Sequence, residues 1–370
     1  MNIPLVNLEA QHAPLRAEIA EAIKQVLVEC SFVRGPAVKN FQAEAAKYLG
    51  VKHAIGCANG SDALVVALMA LGVGPGDEVV TVPHTYVATP EAIRRVGAKI
   101  IFCDVEPVGW TMDPAKLKKL VTPRTKAIMP VHIFGQCALH EELVKAAGNI
   151  PIVEDAAQAW GATRNGKHAG ALGAIATFSF YPTKTLGACG DGGMLATNDD
   201  RLAELIQSVC LHGESKDRYY NDRAGMNSRL DSVQAAILRI KLKHVDAWNT
   251  KRDAIARYYQ ERFEESPIKA PKVLPGNTHV WHQYCIMTPE RDALAAHLKS
   301  KGVATGVYYP IPQHLQRCFK DLGHKAGDFP VTESISSDSL SIPCWPEMSE
   351  EQQAYVADEI LAFAGAKANK

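Results

Sequence analysis

One lysine, Lys184, lies where its amine could do chemistry. It follows an apolar run that predicts a strand, Ala176–Phe180, and four of the next nine residues are glycine. A lysine just past a strand end can be held in a partly desolvated pocket, which lowers its pKa and leaves free amine to attack an aldehyde. Glycines let the backbone approach a planar ligand. An ordinary solvated loop lysine would fit the same spacing.

Two polar residues follow another predicted strand. Asp155 directly follows the apolar run Ile152–Glu154, and Gln158 comes three residues later. A carboxylate at the end of a buried strand is costly unless it is paired. A pyridinium nitrogen would be a suitable partner, because a carboxylate keeps such a ring protonated and able to withdraw electrons. Gln158 could then bond the 3′-oxygen of the same ring. Alternatively, Asp155 caps the following helix or binds a metal ion.

A third candidate site lies at the start of a predicted helix. Gly60 and Ser61 stand between a strand-like run and the helical segment Ala63–Leu71, where free backbone N–H groups and the helix dipole favour a phosphate. A plain N-cap formed by Ser61 or Asp62 is the alternative. Tyr86 follows the next strand, so its ring could stack on a cofactor or pack in the core.

The elements that position these residues alternate along the chain. Short apolar strands separated by helical segments are typical of a mostly parallel sheet covered on both faces, so the sequence predicts an α/β fold. Ligands of such sheets bind beyond the carboxyl ends of the strands. A long helical pattern, Ser232–Arg262, is expected to be broken or bent. We expect a large domain over residues 1–247 and a smaller α+β domain over 248–370, with a β-type segment at Thr305–Tyr309.

Composition excludes several classes of protein. The 370 residues carry 40 basic and 40 acidic side chains, without the basic excess of a nucleic-acid binder. No run of about 18 apolar residues predicts a membrane span, and the N-terminus has no secretory pattern. Nine scattered cysteines without a Cys-x-x-Cys pair indicate free thiols, so we expect a cytoplasmic protein. The histidine spacing indicates no catalytic metal.

The motifs together are far more specific than each one alone. The chain resembles the DegT/DnrJ/EryC1/StrS family of sugar aminotransferases, within the fold-type-I aspartate aminotransferase superfamily. The resemblance covers nearly the whole sequence. It is carried by Ala58–Leu64, Gly72–Val79, Thr122–Ile128, Glu154–Gln158, Gly190–Gly193 and Asn227–Asp231. It implies a seven-stranded, mostly parallel sheet between helices in the large domain, a smaller C-terminal domain, and pyridoxal 5′-phosphate as the cofactor.

The resemblance also implies a role for each matching residue. Lys184 matches the lysine that holds the cofactor covalently and later shuttles a proton, and Asp155 matches the acid that faces the pyridine nitrogen. The other cofactor contacts implied are Gly60, Ser61 and Ser179 at the phosphate, Tyr86 stacked on the ring, Gln158 near the 3′-oxygen, and Asn227 at the phosphate of the neighbouring subunit.

The same resemblance predicts partners and substrates. A homodimer with shared active sites is implied, in which Arg229 crosses the interface towards a nucleotide-linked sugar, and L-glutamate is the expected amino donor. Tyr308, Tyr309 and His314 lie in a segment like that of family members that aminate C3 of a hexose. Several relatives have His where this chain has Tyr308. Packing within the small domain is the alternative reading of these three side chains.

We therefore favour a UDP- or dTDP-linked 3-keto hexose as the acceptor, for surface polysaccharide or a glycosylated metabolite. Amination at C4 of a 4-keto-6-deoxy sugar nucleotide is the alternative. Some family members carry His at the lysine position and act as dehydratases, but Lys184 favours amino transfer. A protein that binds the cofactor as a regulator, without turnover, is a more remote possibility.

Overall fold

The strands of the protein form from its short apolar segments. The computed structural model describes residues 1–217 and 219–368. In chain order the strands are β1 His53–Cys57, β2 Glu78–Thr81, β3 Lys99–Phe102, β4 Thr125–Met129, β5 Val153–Asp155, β6 Thr163–Arg164, β7 Lys167–His168, β8 Ile175–Ser179, β9 Gly193–Thr197, β10 Tyr284–Met287 and β11 Ser339–Ile342.

Seven of these strands make one sheet, in the order β3-β2-β4-β5-β8-β9-β1. Neighbours run parallel except at β9, which is antiparallel to both β8 and β1. Parallel bridges from Ile128 to Ile152 and from Val131 to Asp155 join β4 to β5. This is the mostly parallel sheet that the sequence predicts. The carboxyl ends of β5 and β8 therefore meet at one edge.

Helices pack on both faces of this sheet. Seven of the eleven residues of helix α4, Gly60–Ala70, are buried, which fixes the position of its first turn. Helix α3, Pro36–Leu49, packs on the other face, in a separate core cluster. In chain order the helices are α1 Leu8–His12, α2 Arg16–Val28, α3 Pro36–Leu49, α4 Gly60–Ala70, α5 Ala88–Arg95, α6 Pro114–Leu120, α7 His140–Ala147, α8 Asp200–Cys210, α9 Ser232–Leu242, α10 Val245–Phe263, α11 Arg291–Ser300, α12 Pro330–Asp338 and α13 Glu350–Ala368.

The C-terminal part of the chain builds its own apolar core. The antiparallel pair β10–β11 packs with α10, α11 and α13 in one cluster. Ile3 belongs to the same cluster and forms a parallel bridge with Val303, so the first residues pack with the C-terminal part. The expected division at residues 247/248 falls inside α10, and it stays a prediction.

Two local expectations had different outcomes. The long helical pattern is broken as predicted, because α9 ends at Leu242 and α10 begins at Val245. The expected β-type segment Thr305–Tyr309 is wrong as a strand, since only Gly306 pairs, with Ser341. Two prolines follow this segment, and proline lacks the N–H that a ladder needs. Within residues 1–217 and 219–368, no helix has the length and apolar character needed to cross a membrane.

Candidate active site

Asp155 is the last residue of β5, and its backbone is hydrogen-bonded on the β4 side of the strand. Its N–H donates to the carbonyl of Pro130 at 3.0 Å, and its carbonyl accepts from the N–H of His132 at 2.9 Å. These bonds fix the carboxylate at the carboxyl edge of the sheet. The side chain is buried, with 5% of its surface exposed.

The carboxylate of Asp155 has two hydrogen-bond donors. Thr89 donates its hydroxyl to Oδ2 at 2.7 Å, and the N–H of Ala157 donates to Oδ1 at 3.2 Å. Burial raises the pKa of Asp155, and the bonds from Thr89 and Ala157 and the charge of Lys184 oppose that rise. The carboxylate does not cap a regular helix, and the described residues contain no group of three or more His, Cys, Asp or Glu side chains that could hold a metal ion.

Lys184 lies in the loop after β8, close enough to Asp155 for their charges to interact. The loop is held by its own backbone, since the N–H of Lys184 donates to the carbonyl of Tyr181 at 2.9 Å. Gly187 is required there, because a Cβ would collide with the carbonyl oxygen of Pro182. Burial lowers the pKa of Lys184 to about 8, against the opposing effect of Asp155. The side chain is half-buried, which disfavours the alternative of an ordinary solvated lysine.

The first turn of α4 faces the end of β8. The N-cap is Asn59, whose side chain accepts from the N–H of Asp62 at 2.8 Å, so the expected alternative of a cap by Ser61 or Asp62 is wrong. The N–H groups of Gly60 and Ser61 have no protein acceptor in the part of the chain described. A Cβ on Gly60 would lie 2.6 Å from the Cβ of Ser179. The resulting niche offers free N–H donors beside a hydroxyl.

Two tyrosine rings and Gln158 form another side of the site. Gln158 accepts the N–H of Phe134 at 2.7 Å and donates to the hydroxyl of Tyr309 at 3.1 Å. The ring of Tyr309 lies 5.9 Å from that of Tyr86, centroid to centroid. Tyr86 is 56% exposed, so it is not a core residue. The segment around Tyr309 thus comes from the C-terminal part of the chain to contact the end of β5.

The three predicted sugar contacts do not lie together. The ring of Tyr308 packs partly buried beside Tyr309. His314 is directed elsewhere: it is buried against Phe329, and its Nε2 lies 3.1 Å from a carboxylate oxygen of Glu333. The small-domain packing that the sequence left open therefore describes His314 in this structure. The geometry gives no support to its predicted contact with a sugar.

The segment Asn227–Arg229 lies next to the first turn of α4. Ser228 accepts the N–H of Ala58 at 3.1 Å and donates to a carboxylate oxygen of Asp62 at 2.7 Å. Asn227 is exposed, and its side chain makes no hydrogen bond with the described residues. Arg229 lines an open cleft together with Arg34 and Lys39.

Sequence reasoning missed several residues of this region. Thr89 donates a hydrogen bond to Asp155. Burial lowers the pKa of the His282 imidazole, and Lys184 lies close enough for its charge to lower that pKa further. Glu154, beside Asp155, is fully buried and paired with His132 at 2.9 Å. Of these residues, only Thr89 could have been found from sequence spacing. It follows Tyr86 by three residues, so one turn of chain brings it to the same part of the site.

Comparison with known proteins identifies this arrangement. Residues 14–361 match the DegT/DnrJ/EryC1/StrS aminotransferase family. The chain belongs to this family. It is 42% identical over 361 residues to the UDP-N-acetyl-3-dehydro-alpha-D-glucosamine 3-aminotransferase of Acidithiobacillus ferrooxidans, covering 97% of each chain.

Two further comparisons agree on the family and the fold. The structure of DesV from S. venezuelae in complex with a ketimine intermediate superposes with a TM-score of 0.95, at 40% identity and 98% coverage of each chain. The chain is also 48% identical over 368 residues to a "pleiotropic regulatory protein" of Geobacillus stearothermophilus, covering 98% of this chain and 99% of that one. The protein is a pyridoxal phosphate-dependent aminotransferase of fold type I.

The residues at the site of this aminotransferase fit the cofactor. The N–H groups of Gly60 and Ser61 suit a phosphate, because a helix N-terminus attracts anions. The buried Asp155 suits a protonated pyridine nitrogen, which would supply the positive charge that a buried carboxylate requires. Lys184 has a lowered pKa and can react as a free amine. Phosphate, ring nitrogen and aldehyde thus each have a matching group.

Proposed function

We propose that this aminotransferase moves the amino group of L-glutamate to C3 of a UDP- or dTDP-linked 3-keto hexose, in the synthesis of an amino sugar for surface polysaccharide or a glycosylated metabolite. The observation that carries the proposal is the position of Lys184 at the carboxyl edge of the sheet, near enough to the buried Asp155 for their charges to interact. The name of the Acidithiobacillus relative supports amination at C3 of a UDP-linked sugar.

Lys184 and Asp155 have separate tasks in the proposed reaction. Pyridoxal phosphate, when bound, supplies an electron sink for the carbon that loses its proton. Lys184 would hold the cofactor through Nζ, and its freed amine would accept and carry the proton that leaves Cα of the donor. Asp155 keeps the proton on the pyridine nitrogen, and Thr89 holds that carboxylate in place at 2.7 Å.

The remaining predicted contacts surround these two residues. Gly60, Ser61 and Ser179 bind the phosphate, Tyr86 stacks on the ring, and Gln158 lies near the 3′-oxygen. The hydrogen bond between Tyr309 and Gln158 connects the proposed sugar contacts with the proposed cofactor contacts. Tyr308 stays in the proposal as a sugar contact, and His314 is left out of it because its ring lies against Phe329 and Glu333.

A second copy of the chain completes the proposed site. Asn227 reaches the phosphate of the neighbouring subunit, and Arg229 reaches its sugar nucleotide. The exposure of Asn227 supports this, since a side chain without a partner in its own subunit is available to another. We place the homodimer in the cytoplasm, in keeping with nine cysteines of which none forms a disulfide.

Absorption spectroscopy tests the proposal directly. We expect purified protein supplied with pyridoxal phosphate to show the visible band of lysine-bound cofactor, and L-glutamate to bleach it. One member of a panel of 3-keto and 4-keto sugar nucleotides should then restore it. Restoration by a 4-keto sugar alone would move the proposed amination to C4. Bleaching that no sugar reverses would remove nucleotide-linked keto sugars from the proposal.

A regulator without turnover is the second candidate, because the Geobacillus relative carries a regulatory name. A protein that only senses the cofactor needs no reactive amine beside a buried carboxylate, and this chain has both. The glutamate step separates the two functions. A sensor would keep its absorption band in the presence of the donor.

A further inference from the structure

Arg252, in α10, is a buried cation without a carboxylate partner. Only 6% of its surface is exposed. Its Nη1 donates to the side-chain oxygen of Asn249 at 3.2 Å, and no carboxylate lies within 4.0 Å of it in residues 1–217 and 219–368. A guanidinium has five N–H donors, and burying its charge unpaired is costly. The arrangement therefore leaves donors and positive charge for a ligand.

Arg252 lines a small cleft next to the loop that carries Lys184. The space within the cleft is small, with a volume of about 20 Å³, and its wall includes Thr183, the residue before Lys184. His282 also lines it, and the charges of both Lys184 and Arg252 act on the imidazole of His282. The cleft thus joins the lysine loop of the large domain to α10 and to the strand β10.

The cleft offers positive charge and neutral donors, and no acid. Its lining, as far as the chain is described, contains no aspartate or glutamate. Burial lowers the pKa of His282 well below its usual range, so its imidazole is neutral. Glu347 acts on Arg252 only at longer range and is not in the lining. A guanidinium is suited to bind a carboxylate through two parallel hydrogen bonds.

We propose that Arg252 binds the side-chain carboxylate of the amino donor and so selects a five-carbon dicarboxylic amino acid. This inference rests on the proposed function, since it assigns a subsite to the donor of that reaction. The small volume of the cleft favours a single carboxylate group of the donor over the sugar nucleotide. A carboxylate on a short flexible chain enters such a space, whereas a hexose linked to a nucleoside diphosphate does not.

The charge of Arg252 can be removed and compared with a matched control. Arg257 lies on the same helix, five residues later, with its side chain 73% exposed and paired to Asp253. The unreactive dicarboxylate glutarate serves as the probe, titrated calorimetrically into enzyme saturated with pyridoxal phosphate. We expect Arg252→Gln to weaken glutarate binding at least tenfold and Arg257→Gln to leave it unchanged. Equal affinities in all three proteins would overturn the proposal.

Donor selectivity gives a second readout. The rate of bleaching by L-glutamate, relative to that by L-norvaline, should fall at least tenfold in Arg252→Gln, because norvaline lacks the side-chain carboxylate. Arg252→Lys keeps a positive charge but lacks the planar guanidinium. Its ratio of glutamate rate to norvaline rate should therefore lie between those of the wild type and Arg252→Gln. A parallel loss for both amino acids would assign Arg252 a structural role instead and overturn the inference.

Two outcomes separate this inference from the proposed function. If wild-type enzyme binds glutarate at Arg252 but glutamate does not bleach the cofactor, the proposed reaction fails while the carboxylate site stands. If glutamate bleaches the band at the same rate in Arg252→Gln, the site fails alone. Should the variant not fold, crystals of the wild-type holoenzyme soaked in glutarate decide: a carboxylate on the guanidinium supports the site, and density only elsewhere overturns it.

Discussion

The regions around Lys184 and Lys241 contain similarly perturbed lysines in different settings. Burial lowers the pKa of each to about 8. Lys184 is partly exposed in a loop and interacts with Asp155, beside a niche with free N–H donors. Lys241 is fully buried in α9, with its Nζ 3.1 Å from Nε2 of His12. A lowered pKa therefore does not identify a reactive lysine by itself. Access and a neighbouring carboxylate distinguish the two.

Removing both amines in turn is the strongest test of this comparison. We expect Lys184→Ala to reduce turnover by about 10⁴-fold or more, because it removes both the covalent attachment and the proton carrier. Cofactor should remain only weakly and noncovalently bound, which absorption spectra report. Lys241→Met should keep more than half of the activity. Substantial transamination by Lys184→Ala would sink the assignment of Lys184.

Substitutions of the neighbouring acids Asp155 and Glu154 test whether the carboxylate beside Lys184 is needed for activity. Asp155→Asn should lower kcat by about 10² to 10³-fold, since a neutral amide no longer keeps the ring nitrogen protonated. Glu154 accepts from His132 and from three backbone N–H groups, so its role is structural.

Glu154→Gln is the matched control for that prediction. Breaking hydrogen bonds to a buried charge should lower the free energy of unfolding by about 2 kcal/mol, measured by urea titration. Asp155→Asn should cost less, because burial already raises the pKa of Asp155 and disfavours its charged form. If the two variants lose stability and activity in the same proportions, the division of roles between the two acids is wrong.

Lys241→Met should stabilise the protein. The pKa of Lys241 falls from 10.5 to about 8 on folding, and each pKa unit corresponds to about 1.4 kcal/mol. Below pH 8 the folded state therefore bears the full cost of the buried charge, and removing the ammonium should raise the free energy of unfolding by up to about 3 kcal/mol. As the pH rises from 8 to 10.5 the wild-type chain recovers stability, so the gain should vanish.

Urea unfolding of both proteins at pH 7, 9 and 10.5 checks this sign. The difference between variant and wild type isolates Lys241 from other groups that titrate in the same range, including Lys184. A gain that is independent of pH would show that better packing by Met, and not the buried charge, causes it.

The contrast also explains which parts of the site the sequence could predict. Lys184 and Asp155 each follow a strand, so the alternation of strands and helices places both at the same edge of the sheet. The first turn of α4 could also be predicted, because Gly60 stands between a strand-like run and a helical segment in the sequence. His314 could not be placed in this way, because its direction depends on a 3-10 turn, Gln313–Leu315, in which Gln313 bonds to the carbonyl of Thr85. Arg252 and Lys241 follow no motif, since their burial arises only when helices pack.

The smallest effect tests how far the Lys184 region extends into the C-terminal part of the chain. Tyr309→Phe removes the hydroxyl that accepts from Gln158 at 3.1 Å. A hydrogen bond of this kind contributes about 1 kcal/mol, so we expect KM for the sugar nucleotide to rise by about fivefold with little change for glutamate. Tyr355→Phe is the matched control, since it removes a hydroxyl that donates to the carbonyl of Lys301 at 3.0 Å, a bond outside the proposed site. Equal effects at both positions would mean that the loss of a hydroxyl in the C-terminal part of the chain, and not the bond to Gln158, changes KM.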